Sequence, residues 1–215
     1  MLKVVVFDSG YGGELFADYL GEEIPTLEII RVIDWRNAEA LQENAKKARK
    51  VTEEALKPYI YKADLIVIAN YLVSVTSLNY FKRKYKNQKF VGINFTASEI
   101  SANRQTVMLS TKALTKTLSY KLYTRKNNIK SFALDDWPIL IDDGELGNAK
   151  LRRDLKEVKD YKPSQLILAC GQFTDLKPEL KRFFGHNTKI IDNFDTTLHD
   201  IIISLRLRGA LKKKD

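Results

Sequence analysis

Val4-Val5-Val6-Phe7-Asp8-Ser9-Gly10-Tyr11-Gly12-Gly13 is an apolar, largely β-branched run that ends in a carboxylate, a hydroxyl and a glycine turn. A run with no polar interruption suits a parallel strand covered on both faces. Asp8 and Ser9 then stand at the carboxyl edge of a sheet, where open α/β folds bind their ligands. The glycines beyond them allow a sharp turn and leave backbone amides free to meet an anion.

The same pattern recurs three times. Asp64-Leu65-Ile66-Val67-Ile68-Ala69 ends at Asn70, Gln105-Thr106-Val107-Met108-Leu109 ends at Ser110-Thr111, and Gln165-Leu166-Ile167-Leu168-Ala169 ends at Cys170-Gly171-Gln172. Four strands thus deliver Asp8, Asn70, Thr111 and Cys170 to corresponding ends. Between these strands the apolar spacing is helical: Gly13 to Gly21, Ala38 to Leu56, Val73 to Lys86, Ala113 to Tyr123, Glu145 to Lys159, Thr174 to Phe184 and Thr196 to Leu207. Leu27–Ile33, Phe90–Ile93, Ile129–Leu134 and Lys189–Ile191 read as further strands, and the segment around Pro138 as a loop. Strand and helix alternate in two rounds. The expected class is therefore α/β: two similar flavodoxin-like lobes with mainly parallel sheets and a cleft between them. The first lobe takes residues 1–95 with 193–215, and the second takes 96–192.

Composition sets the class of partner. The 215 residues are 44% apolar, enough for a proper core. One cysteine excludes an internal disulfide and agrees with a reducing cytosol, so a cytoplasmic protein is expected. No apolar run reaches membrane-spanning length, and no membrane is expected as a partner. The formal charge of +9 raises the question of nucleic acid. The lysines lie on several helices (Lys46, Lys47, Lys50; Lys82, Lys84, Lys86; Lys156, Lys159), and no nucleic-acid motif accompanies them. They read as solvated faces, as does the tail Leu211–Asp215.

Gly10-Tyr11-Gly12-Gly13 is not a dinucleotide fingerprint, because Leu15 stands where a third glycine is needed, and no phosphate loop is present. Cys170, just after a strand and before Gly171, is either a small buried hydrophobe or a thiol tuned by nearby amides. His186 reads as a turn residue and His199 as a helix residue; with two histidines and one cysteine no metal site is expected.

The chain also resembles the glutamate racemases of the aspartate/glutamate racemase superfamily. Val6-Phe7-Asp8-Ser9-Gly10-Tyr11-Gly12-Gly13 is similar to their opening, and Leu168-Ala169-Cys170-Gly171-Gln172-Phe173-Thr174-Asp175-Leu176-Lys177-Pro178-Glu179 to their second cysteine segment. Asp34, Val107-Met108-Leu109-Ser110-Thr111, Trp137-Pro138-Ile139-Leu140-Ile141-Asp142-Asp143-Gly144 and Ile190-Ile191-Asp192 match in order. The resemblance implies a reaction without cofactor in which two cysteines act on opposite faces of the substrate, with an acidic helper at Asp142 and a homodimer. Asn70 stands where the first cysteine is expected, followed by Tyr71-Leu72 instead of Asn-Thr. Gly171-Gln172 replaces Thr-His after Cys170, and Asn37–Leu41 replaces a Pro-Tyr-Gly segment.

An asparagine carries no proton of useful pKa, so inversion by two thiols is excluded. The expected catalytic groups are Cys170, Asp8 and Asp142, the carboxylates being tunable by desolvation. Ser9, Asn70, Thr111 and Gln172 are the expected contacts to a small carboxylate or amino acid. Two functions compete: racemase-type or single-cysteine chemistry through Cys170, and a non-catalytic binding or regulatory protein that keeps the fold.

Overall fold

The structure is a computed structural model and describes residues 1–95 and 104–207. The tail Leu211–Asp215 and the expected start of the second lobe at residue 96 lie outside the described residues. The chain forms two compact units, Met1–Asn94 with Phe194–Asp215, and Phe95–Asn193.

The first unit holds strands β1 (Leu2–Asp8), β2 (Leu27–Ile33), β3 (Leu65–Ile68) and β4 (Phe90–Gly92). They form one sheet in the order β2-β1-β3-β4, parallel throughout. Val4 to Phe7 and Leu65 to Ile68 have no solvent exposure, as expected of strands covered on both faces. Helices Tyr11–Glu23, Ala45–Leu56 and Tyr71–Lys84 connect them, and helix Phe194–Leu205 returns from the end of the chain to put Phe194 edge-on against Phe16, 5.0 Å between rings. The single helix expected over Ala38–Leu56 is broken at Asn44. Its extended backbone ends Ala38–Glu43, and its side-chain oxygen accepts from the Lys47 amide at 2.9 Å to cap Ala45–Leu56.

The second unit repeats the design with β5 (Thr106–Ser110), β6 (Lys130–Ala133), β7 (Gln165–Leu168) and β8 (Lys189–Ile191), all parallel, in the order β6-β5-β7-β8. Its core packs Val107, Leu109, Leu166 and Leu168 against Leu151, Leu155, Val158 and Leu180, with Trp137 fully buried among them.

Three expected elements are corrected here. The stretch around Pro138 is a helix, Trp137–Asp142, with the proline in its first turn, where the missing N–H costs nothing. The helix expected over Glu145–Lys159 starts later, after Gly144 at φ 71 and Gly147, and comes as Asn148–Asp154 and Lys156–Asp160. The helix expected over Ala113–Tyr123 is interrupted at Thr117, whose hydroxyl caps Leu118–Lys126 by accepting from the Tyr120 amide at 3.2 Å. A 3-10 turn, Gly171–Leu176, also precedes helix Lys177–Phe184.

Candidate functional site

In each sheet the chain runs outward in both directions from a central pair, β1/β3 in the first unit and β5/β7 in the second. In open α/β sheets ligands bind beyond the carboxyl ends of the strands at such a switch point. Register fixes what stands there. Phe7 pairs with Ile68, and the Ala69 amide continues the ladder to the Phe7 carbonyl at 2.8 Å, so Ser9 comes beside Asn70. Leu109 pairs with Leu168, and the Ala169 amide donates to the Leu109 carbonyl at 2.8 Å, so Thr111 comes beside Cys170. Ser9 with Asn70 and Thr111 with Cys170 thus form two equivalent pairs, one in each unit.

In the first unit the polar groups bind one another. Asp8 and Ser9 are 4% and 5% exposed. Asp8 Oδ1 accepts from the Ser9 amide at 2.7 Å and from Asn70 Nδ2 at 3.0 Å, and the same Nδ2 lies 3.0 Å from Ser9 Oγ. Asn70 Oδ1 accepts from the Val73 amide at 3.0 Å and caps helix Tyr71–Lys84. The amide orientation follows from chemistry, since the Val73 N–H demands an acceptor and the Asp8 carboxylate a donor. Gly13 is required by close approach: a Cβ there would come within 2.4 Å of Asp8 Cβ and 2.8 Å of Ile33 Cδ1.

Asp34, beyond β2, takes both carboxylate oxygens to Asn37 Nδ2 at 3.0 and 2.9 Å. Beside it opens a groove of about 540 Å³ lined by Asp34 and Asn37 on one side and by Lys47, Lys50, Val51, Glu54 and Ala55 of the Ala45–Leu56 helix on the other.

In the second unit Cys170 is half-buried and extended, just ahead of the 3-10 turn. Its Sγ donates to Gln172 Oε1 at 3.1 Å, while Gln172 Nε2 lies 3.4 Å from Asp142 Oδ2. The Asp142 carboxylate accepts only, so it turns the amide nitrogen toward itself and leaves the Gln172 carbonyl to face the thiol.

Packing supports this placement. Trp137 opens the helix that ends in Asp142, and its ring stands edge-on at 5.6 Å to Phe173, the neighbour of Gln172. Trp137 Nε1 is tied to Asp154 Oδ2 at 3.0 Å, and Lys150 bridges Asp154 and Asp136 at 2.7 and 2.5 Å. Burial works to raise the Asp154 carboxyl, but hydrogen bonds from Lys150 and Trp137 outweigh it and hold the group below its ordinary value. Asp142 itself is exposed, so the desolvation that could tune it is absent at its carboxylate. Thr111 caps Lys112–Thr115 through its backbone, and its hydroxyl makes no cap bond.

Sequence reasoning read Asn70 as a ligand contact and missed its structural work. The signal was present: an asparagine immediately before an apolar helical stretch is an N-cap signature. The Trp137–Phe173 contact left no local signal, since it joins residues 36 apart in the sequence. His186 and His199 are exposed and lie away from the strand ends, and no group of three or more metal-ligating side chains occurs among the described residues. Among the described residues no helix is long and apolar enough to cross a membrane.

No protein-family model matches the chain. Glutamate racemase of Buchnera aphidicola subsp. Schizaphis graminum is 24% identical over 216 aligned positions, covering 92% of this chain and 83% of that protein. Glutamate racemase of Campylobacter jejuni is 26% identical over 207 positions, covering 90% and 82%. The crystal structure of Escherichia coli glutamate racemase, in complex with L-glutamate and the activator UDP-MurNAc-Ala, matches with a TM-score of 0.81 at 22% identity, over 100% of this chain and 86% of that one. The fold is that of the solved glutamate racemase. Within this racemase fold the paired strand ends are a property of the backbone, and the side chains they carry decide the chemistry.

Proposed function

We propose that this chain is a racemase-like protein that performs one-sided proton transfer on a small carboxylic or amino acid, with Cys170 as the proton donor. The observation that carries the reading is the chain of contacts from Asp142 through Gln172 to the Cys170 thiol. Gln172 stands where the resemblance expects a histidine and cannot shuttle a proton near neutral pH. It is a positioning residue that keeps the sulfur protonated and pointed.

The chemistry that fits a neutral thiol is quenching of a carbanion next to a carboxylate. In a malonate-type acid the C–C bond breaks, its electron pair stays on the carbon as an enediolate, and carbon dioxide leaves. The thiol proton then passes to that carbon, and solvent returns a proton to the thiolate. In an amino acid the thiolate form of the same sulfur takes the α-proton, the thiol so formed exchanges that proton with solvent, and the new proton returns to the same face of the carbanion, leaving the configuration unchanged. Thr111, beside Cys170 by strand register, is the proposed hydroxyl contact to a substrate oxygen. No cofactor is required.

In this reading the first unit contributes no second thiol, and its carboxylate Asp8 serves to hold Ser9 and Asn70. Asn70 stands where the first cysteine is expected and is committed to capping and to Asp8. A second reading, a ligand-binding protein without catalysis, draws on the same observation, because the polar groups of the first unit bond to one another.

Alkylation of Cys170 by iodoacetamide tests the thiol arrangement. With Asp142→Asn the partner of Gln172 can donate as well as accept, so Gln172 can turn its N–H toward sulfur and favour the thiolate. The variant is expected to alkylate several-fold faster than wild type at neutral pH, and a dicarboxylate is expected to protect both. An unchanged or slower rate in Asp142→Asn refutes the arrangement.

A further inference from the structure

The positive charge of this protein is unevenly placed along the chain. From Arg104 to Leu134 there are seven cations, Arg104, Lys112, Lys116, Lys121, Arg125, Lys126 and Lys130, and no carboxylate, against a formal +9 for the whole chain. Lys130 is engaged, with Glu157 at 3.9 Å and the rings of Phe132 and Tyr161 at 5.3 and 5.2 Å. Among the described residues none of Lys112, Lys116, Lys121, Arg125 and Lys126 makes an ion pair.

Helix Leu118–Lys126 organises these cations. Tyr120 faces inward, 2% exposed, with its hydroxyl 2.9 Å from Ser110 Oγ, and Phe95 stacks on Tyr123 at 4.9 Å. At 100° per residue the outward sector of about 140° then carries Lys121, Arg125, Leu118, Leu122 and Lys126, in that order around the axis. Leu118 and Leu122 are 72% and 58% exposed. Two leucines one turn apart are thus set between cations on both sides.

We propose that this face docks on an anionic phospholipid surface, the leucines entering the interface while the lysine and arginine stems extend to the headgroups. Lysine and arginine bury their methylenes and keep their charge at the polar boundary, and leucine at the centre of a cationic sector is the pattern of a helix lying in a bilayer interface. A second copy of this chain is disfavoured as occupant, because a twofold contact would bring the cations of both copies together. Duplex nucleic acid would use the cations and leave the leucines unemployed.

Cosedimentation of the full chain with vesicles of phosphatidylcholine, with and without phosphatidylserine, tests the proposal. Binding is expected only to the phosphatidylserine vesicles and is expected to fall as salt rises. Each cation near such a surface is worth on the order of fivefold in partitioning, so Lys121→Gln with Arg125→Gln is expected to weaken binding roughly 30-fold. Leu118→Ser with Leu122→Ser is expected to abolish retention at the salt where wild type still binds. All these side chains are exposed, so both double variants keep the wild-type Tm. The proposal is overturned by absence of binding to the anionic vesicles, or by binding that both double variants leave unchanged. It is equally overturned if the same residues mediate binding to duplex DNA, to an acidic peptide or to a second copy while the vesicles are ignored.

Discussion

Replacing Asn70 separates its three tasks. Asn70→Ala removes the cap on the Val73 amide, a loss of about 1 kcal/mol. It also strips a donor from the buried Asp8 carboxylate and from Ser9, leaving desolvated acceptors short of a partner at a further cost of roughly 2 kcal/mol. The sum, roughly 3 kcal/mol, corresponds to a fall in Tm of roughly 6–12 °C for a chain of this size. Asn70→Asp keeps the cap, since aspartate caps as well as asparagine, but sets a carboxylate against Asp8 at hydrogen-bond distance. Two such charges repel by on the order of 4 kcal/mol at an effective dielectric near 20. At neutral pH the aspartate variant is therefore the less stable of the two.

The sign with pH separates them further. In Asn70→Asp the carboxylate pair holds a proton in the folded state more tightly than the unfolded chain does, so stability returns as pH falls toward the carboxylate range. Asn70→Ala has no such recovery. Scanning calorimetry of both variants across pH measures this directly. The reasoning is refuted if Asn70→Ala stays within about 0.5 kcal/mol of wild type, well inside the loss expected of a cap and a buried donor. It is refuted as well if Asn70→Asp equals or exceeds Asn70→Ala in stability at neutral pH.

Other expectations follow from single contacts. Gly13→Ala forces its new methyl into Asp8 and Ile33, with a cost of about 2–3 kcal/mol by denaturant melt, whereas Gly147→Ala, where a Cβ meets nothing within 4 Å, stays within about 0.5 kcal/mol. The depressed Asp154 carboxyl stabilises the fold above the ordinary carboxylate range and loses that contribution as pH falls through it. Asp154→Asn is accordingly expected to flatten the acid limb of the stability profile; an unchanged limb removes Asp154 from the account.

Much of the fold was legible because its central strands are extreme. Val4–Phe7 and Leu65–Ile68 are buried on both faces and left no alternative to a parallel sheet covered by helices. Helix boundaries were less legible, because they depend on side chains that pair with backbone amides: Asn44, Thr117 and Asn70 all cap, and each shifts or splits an element that apolar spacing alone ran together. Trp137–Asp142 was read as a loop because a proline weighs against a helix everywhere but in its first turn.

At the site, the strand ends at Asp8-Ser9, Asn70, Ser110-Thr111 and Cys170 were legible from the apolar runs before them, while the pairing of Ser9 with Asn70 and of Thr111 with Cys170 comes from the strand register. What each polar group does was not legible. The sequence shows that Gln172 and Asp142 are present, but only the fold brings residues 30 apart within 3.4 Å and so decides which end of an amide faces the sulfur.

The most direct test of one-sided proton transfer is proton NMR in deuterated water, with wild type and Cys170→Ala, over L- and D-aspartate, L- and D-glutamate and small malonates. Deuterium is expected to enter at the carbon next to the carboxylate, with retained configuration for an amino acid or with carbon dioxide release for a malonate. Cys170→Ala is expected to abolish it at nearly unchanged Tm. Appearance of the opposite enantiomer, full activity in Cys170→Ala, or no change in any compound would contradict the account.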